Sequence, residues 1–259
     1  MTTLPPSLED SGYAAVRQYS LAQILAVWAA AALPMGALAW VVAPWLAGGL
    51  DGPAPLIRTL LALLTVGLIW QFVLVVLVYR ERGSLRWSVL KDALWLHSPR
   101  SPKTGRVGGR LWLVVIPFVV LYAAEGAIPI LSVIPPVASH DFNVFLGSDA
   151  GQAFMSGNWV WFAVIVALFV FNTALGEELL FRGVLLPRME GAFGHFDWVA
   201  NGFLFALYHL HEPWVIPSSL VDIFALSYPS RRYRSALIGI IVHSSQSVFL
   251  VLLLFVVLQ

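Results

Sequence analysis

Cysteine is missing from this chain: none occurs among its 259 residues. The protein therefore has no disulfide framework, no thiolate zinc site, no iron–sulfur cluster and no cysteine nucleophile. Any chemistry that it performs must come from Glu, Asp, His, Ser or Lys side chains.

Charged residues are scarce as well. They make up 11% of the chain, whereas hydrophobic residues make up 59%, and an ordinary soluble domain carries about 25% charged residues. The sequence therefore predicts an integral membrane protein in a lipid bilayer. The formal net charge of +1 offers no general basic surface for a nucleic-acid backbone, so DNA and RNA are not expected partners.

Seven apolar runs are candidate membrane helices, because a helix needs about 20 mostly apolar residues to cross a bilayer. The runs are residues 21–46, 59–79, 111–134, 159–186, 198–210, 215–228 and 236–258. The fifth and sixth are short, so they either cross the bilayer or form one bent or re-entrant pair. Both readings predict an all-α membrane bundle of about seven to eight helices. The first run also resembles a cleavable signal peptide, but its apolar character continues to Leu46, so an uncleaved span is expected.

Basic residues cluster in the linker between the second and third runs. This linker holds Arg80, Arg82, Arg86, Lys91, Arg100, Lys103, Arg106 and Arg110. Since cytoplasmic loops carry an excess of Lys and Arg, we expect the linker on the cytoplasmic side, and Arg58 alone among the basic residues then lies outside. The chain is expected to form one membrane domain, residues 1–259, with a cytoplasmic basic loop at 80–110.

Ionisable side chains inside the apolar runs are functional candidates, since each costs about 2.5–3.5 kcal/mol or more to insert. Glu177 and Glu178 are adjacent in the fourth run, and Arg182 follows Glu178 by four residues. On a helix, Glu178 and Arg182 share a face and form an ion pair. Glu177 is rotated by about 100° and lacks that partner, which suits a general base. The alternative is that both carboxylates are structural and pair with Arg side chains or lipid headgroups.

Two further runs bring histidines to a similar depth. Counting about 1.5 Å per residue from the basic ends of the runs, Glu177 lies ~16 Å deep, His209 roughly 20 Å and His243 roughly 14 Å. His243 shares a helix face with Ser247 in a polar patch, residues 243–247, which must face protein or water rather than lipid. The sequence predicts a buried Glu, His and His cluster, with a satisfied core histidine as the alternative for His209.

The other ionisable residues are expected to have lesser roles. Glu125 and Asp222 are expected to support the site or the structure, and His211 is expected to be interfacial. The loop histidines are expected to have no role: His97, His140 and His195.

The three motifs resemble those of the CAAX protease and bacteriocin-processing family (CPBP, also ABI) of intramembrane glutamic proteases. The family signature is E-E-x-x-x-R, then F-x-x-x-H, then H-x-x-x-N/D. In this chain the motifs are Glu177-Glu178-x-x-x-Arg182, Phe205-x-x-x-His209 and His243-x-x-x-Ser247. The resemblance covers roughly residues 159–258, and Ser247 departs from it because the family usually has Asn or Asp at that position.

The resemblance implies hydrolysis of a peptide bond without a covalent intermediate, a cofactor or a metal, in a bundle whose conical cavity opens to the cytoplasm. Glu177 would be the general base that activates water, assisted by His209. His243 and Ser247 would form the oxyanion site, and Glu178 with Arg182 would hold Glu177 in place. The substrate would be a membrane-associated protein or peptide: a prenylated C-terminal motif, a leader peptide or a C-terminal sorting helix. A prokaryotic cytoplasmic membrane is the expected location.

The residues leave two other functions open. The same Glu and His side chains are possible ligands of a catalytic zinc ion, although the sequence has no His-Glu-x-x-His motif. A non-enzymatic membrane scaffold or small transporter is the third hypothesis, although the chain shows no matching halves.

Overall fold

The computed structural model describes residues 16–80, 86–125 and 133–258. Within these ranges the chain is helical, and its only β feature is an isolated antiparallel bridge between Arg100 and Val107. The all-α prediction is confirmed. Residue Arg82 and part of the predicted third span lie outside the described residues.

In chain order, the helices are α1 (Leu21–Ala47), α2 (Pro55–Arg80), α3 (Trp87–Ala93), α4 (Gly109–Ala123), α5 (Phe142–Leu146), α6 (Asp149–Met155), α7 (Trp159–Arg188), α8 (Glu190–Phe193), α9 (Asp197–Tyr208), α10 (Tyr228–Arg232) and α11 (Ala236–Leu258).

Four of these helices are long and apolar enough to cross a membrane: α1, α2, α7 and α11. They coincide with the first, second, fourth and seventh apolar runs, which confirms those four predictions. Aromatic donors tie them to their neighbours. The indole of Trp28 donates to the Leu204 carbonyl at 2.8 Å, and that of Trp70 donates to the Ala30 carbonyl at 2.9 Å.

The fifth and sixth predicted spans are the short elements. Helix α9 has 12 residues, fewer than a crossing requires. The sixth run is divided into a 3₁₀ turn at Ser218–Val221, a π-helical stretch at Ile223–Ser227 and then α10. Pro213 and Pro217 precede this stretch, and proline cannot donate the backbone hydrogen bonds of a continuous helix. The bent-pair alternative therefore describes this region better than two full crossings.

The two ends of the bundle differ in charge. At one end, which we call the basic end, Arg100 donates its backbone N–H to the Tyr233 carbonyl at 3.0 Å, and Tyr19 donates to the Arg188 carbonyl at 2.9 Å. At the opposite end, the backbone N–H of Gly157 donates to the carbonyl of Leu258 at 2.9 Å. Helices α5 and α6 lie at this opposite end, beside the start of α2.

The basic end is closed by packing beneath α7. A Cβ atom on Gly183 would lie 3.3 Å from the Leu94 carbonyl oxygen, so the backbone that follows α3 packs directly on α7. Arg188, 2% exposed, donates to the Val184 carbonyl at 2.7 Å and to the Ala93 carbonyl at 3.4 Å. These contacts cover the part of α7 that lies at the basic end of the bundle.

Helices α7 and α11 lie close together at Gly239. A Cβ atom there would collide with Glu178 Oε2 and lie 3.1 Å from Ser230 Oγ. The missing side chain is what lets the carboxylate of Glu178 lie against the backbone of α11.

Replacing Gly239 by Ala should therefore destabilise the protein. Overpacking a dense interior typically costs about 1–3 kcal/mol, and the displaced neighbour in this case is a buried carboxylate. We expect a lower midpoint of thermal unfolding in detergent. Gly48→Ala is the control, because its added Cβ meets only ordinary contacts at 3.6 Å. Equal midpoints for the two variants would show that α7 and α11 can separate freely at this position.

Candidate active site

A π-helical turn in α7 gives Glu177 its nearest partner. Residues Phe171–Gly176 form this turn, and a π-helix brings residues five apart onto one face. With the Asn172 amide oriented so that its nitrogen faces Glu177, that nitrogen lies 2.7 Å from both carboxylate oxygens. Asn172 can therefore fix the carboxylate by donating to both oxygens. No sequence motif pointed to this residue, because an α-helical reading puts positions 172 and 177 on different faces.

A second donor reaches Glu177 from α9. The Tyr208 hydroxyl is hydrogen-bonded to the Glu177 carboxyl group, and it accepts a hydrogen bond from Gln71 Nε2 at 2.5 Å. Tyr208 and Gln71 are fully buried, and Glu177 is 2% exposed. No sequence pattern pointed to Tyr208 or to Gln71, which supports it, because each lies at an ordinary core position of an apolar helix.

Glu178 lies at the centre of a separate buried ion-pair network. Its Oε1 accepts from Arg182 Nη1 at 2.9 Å and from His243 Nδ1 at 3.0 Å. The predicted pair between Glu178 and Arg182 is confirmed, and both side chains are fully buried. The added contact with His243 shows that Glu178 orients this histidine, whereas the contacts to Glu177 come from Asn172 and Tyr208.

Arg182 is enclosed on its remaining sides. Its guanidinium carbon lies 4.0 Å above the centre of the Phe205 ring, and Nη2 donates to Ser227 Oγ at 3.4 Å. Ser227 donates in turn to Asn201 Oδ1 at 3.0 Å. The network joins α7, α9 and the segment before α10 into one buried polar layer.

His209 lies where α9 ends, and its tautomer follows from its contacts. Nδ1 is 3.1 Å from the Phe205 carbonyl oxygen and 3.3 Å from that of Ala206. A carbonyl oxygen only accepts, so Nδ1 carries the proton and Nε2 of the neutral ring has a free lone pair. Nearby, the Trp40 indole donates to the Leu210 carbonyl at 2.8 Å, which fixes the backbone that follows His209.

The polar patch of α11 is divided between the protein interior and a cavity. Ser244 Oγ lies 3.0 Å from Thr173 Oγ1 of α7, and Ser245 donates to the Val242 carbonyl at 2.6 Å. His243, Gln246 and Ser247 line the cavity instead. These contacts agree with the prediction that the patch faces protein or water rather than lipid.

One cavity of about 250 Å³ collects the candidate residues of all three motifs. Glu177, His209, His243 and Ser247 line it, while Glu178 and Arg182 lie behind its wall. The structure thus brings together side chains that are far apart in sequence. It also places on this wall residues for which the sequence predicted no direct role: Glu125, His140, His211 and Asp222.

The loop that follows α9 contributes His211 and Glu212 to the wall. Burial lowers the pKa of His211 to about 3, with His209 as the second cause. Burial also raises the pKa of Glu212 to about 7, and Asp141 adds to this. His211 is therefore neutral at physiological pH, and it is buried in the cavity wall. His97 and His195 do not line this cavity.

The cavity lies toward the end of the bundle opposite the basic end. Its lining includes Ile57 and Leu60 from the start of α2, His140 just before α5, and Phe142 and the exposed Asn143 from α5 itself. No residue of the described part of the basic linker lines it. We expected the site to open on the same side as that linker; the lining residues lie nearer the other end, and the side to which the cavity opens in a membrane stays a prediction.

The zinc hypothesis finds no support in the geometry. Among residues 16–80, 86–125 and 133–258, no group of three or more His, Asp or Glu side chains is arranged to hold a metal ion. Glu178 and His243 are joined to each other, and His209 Nδ1 is engaged by backbone carbonyls.

Residues 159–249 match a protein-family model described as type II CAAX prenyl endopeptidase Rce1-like. The match confirms the family resemblance over this part of the chain, which holds all three motifs. No curated protein and no solved structure gives a significant match. The family match and the four long apolar helices indicate a membrane-embedded protease of the CAAX type.

The position of the cavity can be tested by cysteine labelling, because the chain has no cysteine of its own. Asn143→Cys and Lys103→Cys should react with a membrane-impermeant maleimide from opposite faces of sealed vesicles, since both positions are exposed at opposite ends. Ser218→Cys, which lines the cavity, should react with a small polar thiol reagent from the Asn143 side. Labelling of Ser218→Cys only from the Lys103 side would contradict this geometry.

The buried ion pair predicts a large effect of Arg182→Ala on stability. Removing Arg182 breaks a fully buried ion pair and leaves Glu178 with the His243 contact alone, and breaking a buried pair costs about 3–5 kcal/mol. Glu190→Ala is the matched control, because it breaks a 3.2 Å pair with Arg231 in which Glu190 is 45% exposed. That exposed pair is worth about 0–1 kcal/mol. The measurement is the thermal unfolding midpoint of each variant in detergent. Similar midpoints for Arg182→Ala and Glu190→Ala would mean that water reaches Glu178.

Proposed function

We propose that this protein is an intramembrane endopeptidase in which Glu177 and His209 activate a water molecule for attack on a peptide bond. The observation that carries the proposal is the convergence of Glu177, His209 and His243 on one cavity. The three side chains come from α7, the end of α9 and α11, so only the folded bundle brings them together. The match to a protease family supports the same conclusion.

The first chemical step is the attack of water on the substrate carbonyl carbon. Glu177, aided by the free lone pair of His209 Nε2, takes a proton from the water as its oxygen forms the new bond. A general base held in place in this way accelerates such a step about 10²- to 10⁴-fold. Asn172 and Tyr208 keep the Glu177 carboxylate in one orientation throughout.

The negative charge that develops on the carbonyl oxygen needs hydrogen-bond donors. His243 is suited to this in its imidazolium form, in which both ring nitrogens donate: Nδ1 donates to Glu178, and Nε2 donates toward the cavity. The Ser247 hydroxyl and the Gln246 amide line the same wall and can add donors, in place of the Asn or Asp that is usual in the family. Preorganised donors of this kind are commonly the largest electrostatic contribution to catalysis.

The second step breaks the C–N bond. The proton that the water gave to the Glu177 and His209 pair passes to the leaving nitrogen, and the carbonyl re-forms as a carboxylic acid. The enzyme returns to its starting protonation state, and no covalent intermediate is needed. The substrate in this proposal is a membrane-associated protein or peptide.

The charge distribution supports a location in a prokaryotic cytoplasmic membrane, with the basic end in the cytoplasm. Arg100, Arg188 and Arg231 all lie at that end, and an excess of basic residues marks the cytoplasmic side. In this orientation the cavity faces the outer side of the membrane.

The role of Glu177 is tested by Glu177→Gln. This change keeps the shape of the side chain and removes its basicity, so the rate of cleavage should fall about 100-fold or more. The measurement is the appearance of new peptide N-termini, by mass spectrometry, when protein in detergent is incubated with a mixture of peptides. Glu190→Gln, on the surface of the basic end, should retain full activity. A Glu177→Gln rate above about a tenth of the wild-type rate would rule out a general base at this position.

Metal removal provides an independent test of the mechanism. If Glu177 and His209 activate water directly, a strong zinc chelator should leave the cleavage rate unchanged. If zinc activated the water, the water would owe its low pKa to the ion, and removing the zinc would stop the reaction. Loss of activity that added zinc restores would overturn the proposed mechanism.

A further inference from the structure

The cavity wall carries an unusual set of charges. Four carboxyl groups and four histidines line it, and no Lys or Arg from the described ranges does so. The carboxyl groups belong to Glu125, Glu177, Glu212 and Asp222. Glu177 has a role in the proposed reaction, whereas Glu125 and Asp222 have none.

Asp222 is a buried carboxylate with incomplete hydrogen bonding. It is 3% exposed and lines the cavity. Its Oδ1 has no hydrogen-bond partner among the residues that the structure describes. Although Asp222 directly precedes the π-helical stretch Ile223–Ser227, its side chain does not cap that stretch. Burying an unpaired carboxylate is costly, so this oxygen is suited to a partner that arrives from outside the protein.

Glu125 brings a second carboxyl group to the same part of the wall. It lies just beyond α4, its side chain is hydrogen-bonded to Ser218, and it interacts electrostatically with Asp222. Two carboxylates held near each other repel unless a cation or a shared proton lies between them. They come from separate segments of the chain, so the fold rather than local sequence brings them together.

The neighbouring Arg182 does not supply the missing cation. It interacts electrostatically with Asp222, but its Nη1 donates to Glu178 at 2.9 Å and Nη2 faces Ser227 at 3.4 Å. The opposite charge of Glu178 already balances it. The Asp222 and Glu125 carboxyl groups therefore have no Lys or Arg partner of their own among the described residues that line the cavity.

We infer that Asp222 and Glu125 form a subsite that binds a cationic group of the substrate, the guanidinium or ammonium of an Arg or Lys side chain near the cleaved bond. A carboxylate pair suits such a group, because charge-assisted hydrogen bonds are short and strong away from water. The same wall disfavours a free C-terminal carboxylate, for which it offers no Lys or Arg among the described residues. The inference rests on the proposed protease function and selects a basic peptide segment as its substrate class.

Binding can be measured without turnover by using the Glu177→Gln protein. The probes are hexylguanidinium and hexylurea, which share a shape and differ in charge. We expect hexylguanidinium to raise the thermal unfolding midpoint and to bind roughly tenfold more tightly than hexylurea, as expected for a hydrogen bond to a charged group. Adding Asp222→Asn should abolish this preference. Asp149→Asn, at an exposed acidic residue of α6, should leave it intact.

Equal binding of the two probes would overturn the inference, as would an Asp222→Asn protein that still prefers hexylguanidinium. If Asp222→Asn does not fold, Glu125→Gln takes its place with the same expectations. Because Glu177→Gln is used throughout, these outcomes are independent of whether the protein cleaves peptides.

Cleavage-site profiles provide the second measurement. Wild-type digests of a peptide mixture should be enriched in Lys or Arg at a fixed position near the cut, and Asp222→Asn digests should lose that enrichment while cleavage continues. Cleavage by the wild type without a preference for Lys or Arg near the cut would overturn the cation subsite and leave the proposed protease function standing. No cleavage by the wild type would overturn the proposed function, and the binding comparison would still decide on the cation subsite.

Discussion

The buried carboxylate of Glu178 is the interaction on which the site depends. It accepts from Arg182 on its own helix and from His243 on α11, and Gly239 lets the two helices approach closely enough for this. A fully buried charge is tolerated only when paired and hydrogen-bonded. Any arrangement that separates α7 from α11 removes the His243 contact and leaves the buried carboxylate with Arg182 alone, and this loss favours the packing in which His243 faces the cavity.

Adjacent glutamates take different roles because the helix changes its geometry between them. Glu178 points into the ion-pair network, whereas Glu177 follows a π-helical turn that brings Asn172 beside it. The π turn widens the helix locally and places a side-chain amide where an α-helix would have put it on another face. One carboxylate is thus reserved for structure and the other is presented to the cavity.

Much of the fold and part of the candidate site could be predicted from the sequence, whereas the rest depends on tertiary contacts. Four long apolar runs give four long helices, and the four-residue spacing of Glu178 and Arg182 gives their ion pair, because both follow from local periodicity. The contact of Tyr208 with Glu177 and that of Gln71 with Tyr208 join residues from different helices, so no local pattern reports them. The positions of His140 and Asp222 on the cavity wall were missed for the same reason: each lies outside a regular α-helix, and only the folded chain places it there.

Basic and acidic residues are separated along the bundle, and this separation bears on which substrates the cavity would accept. Arginines gather at the end that α3 and the following chain close, while the cavity wall is acidic and lies toward the other end. Interactions between charges strengthen as water is excluded, so an acidic wall inside the bundle attracts a cationic group more strongly than the same residues would on the surface. A basic side chain entering from the opposite end would meet Asp222 and Glu125 without passing the arginines. In the proposed orientation, the same charge pattern is therefore also suited to selecting what enters the cavity.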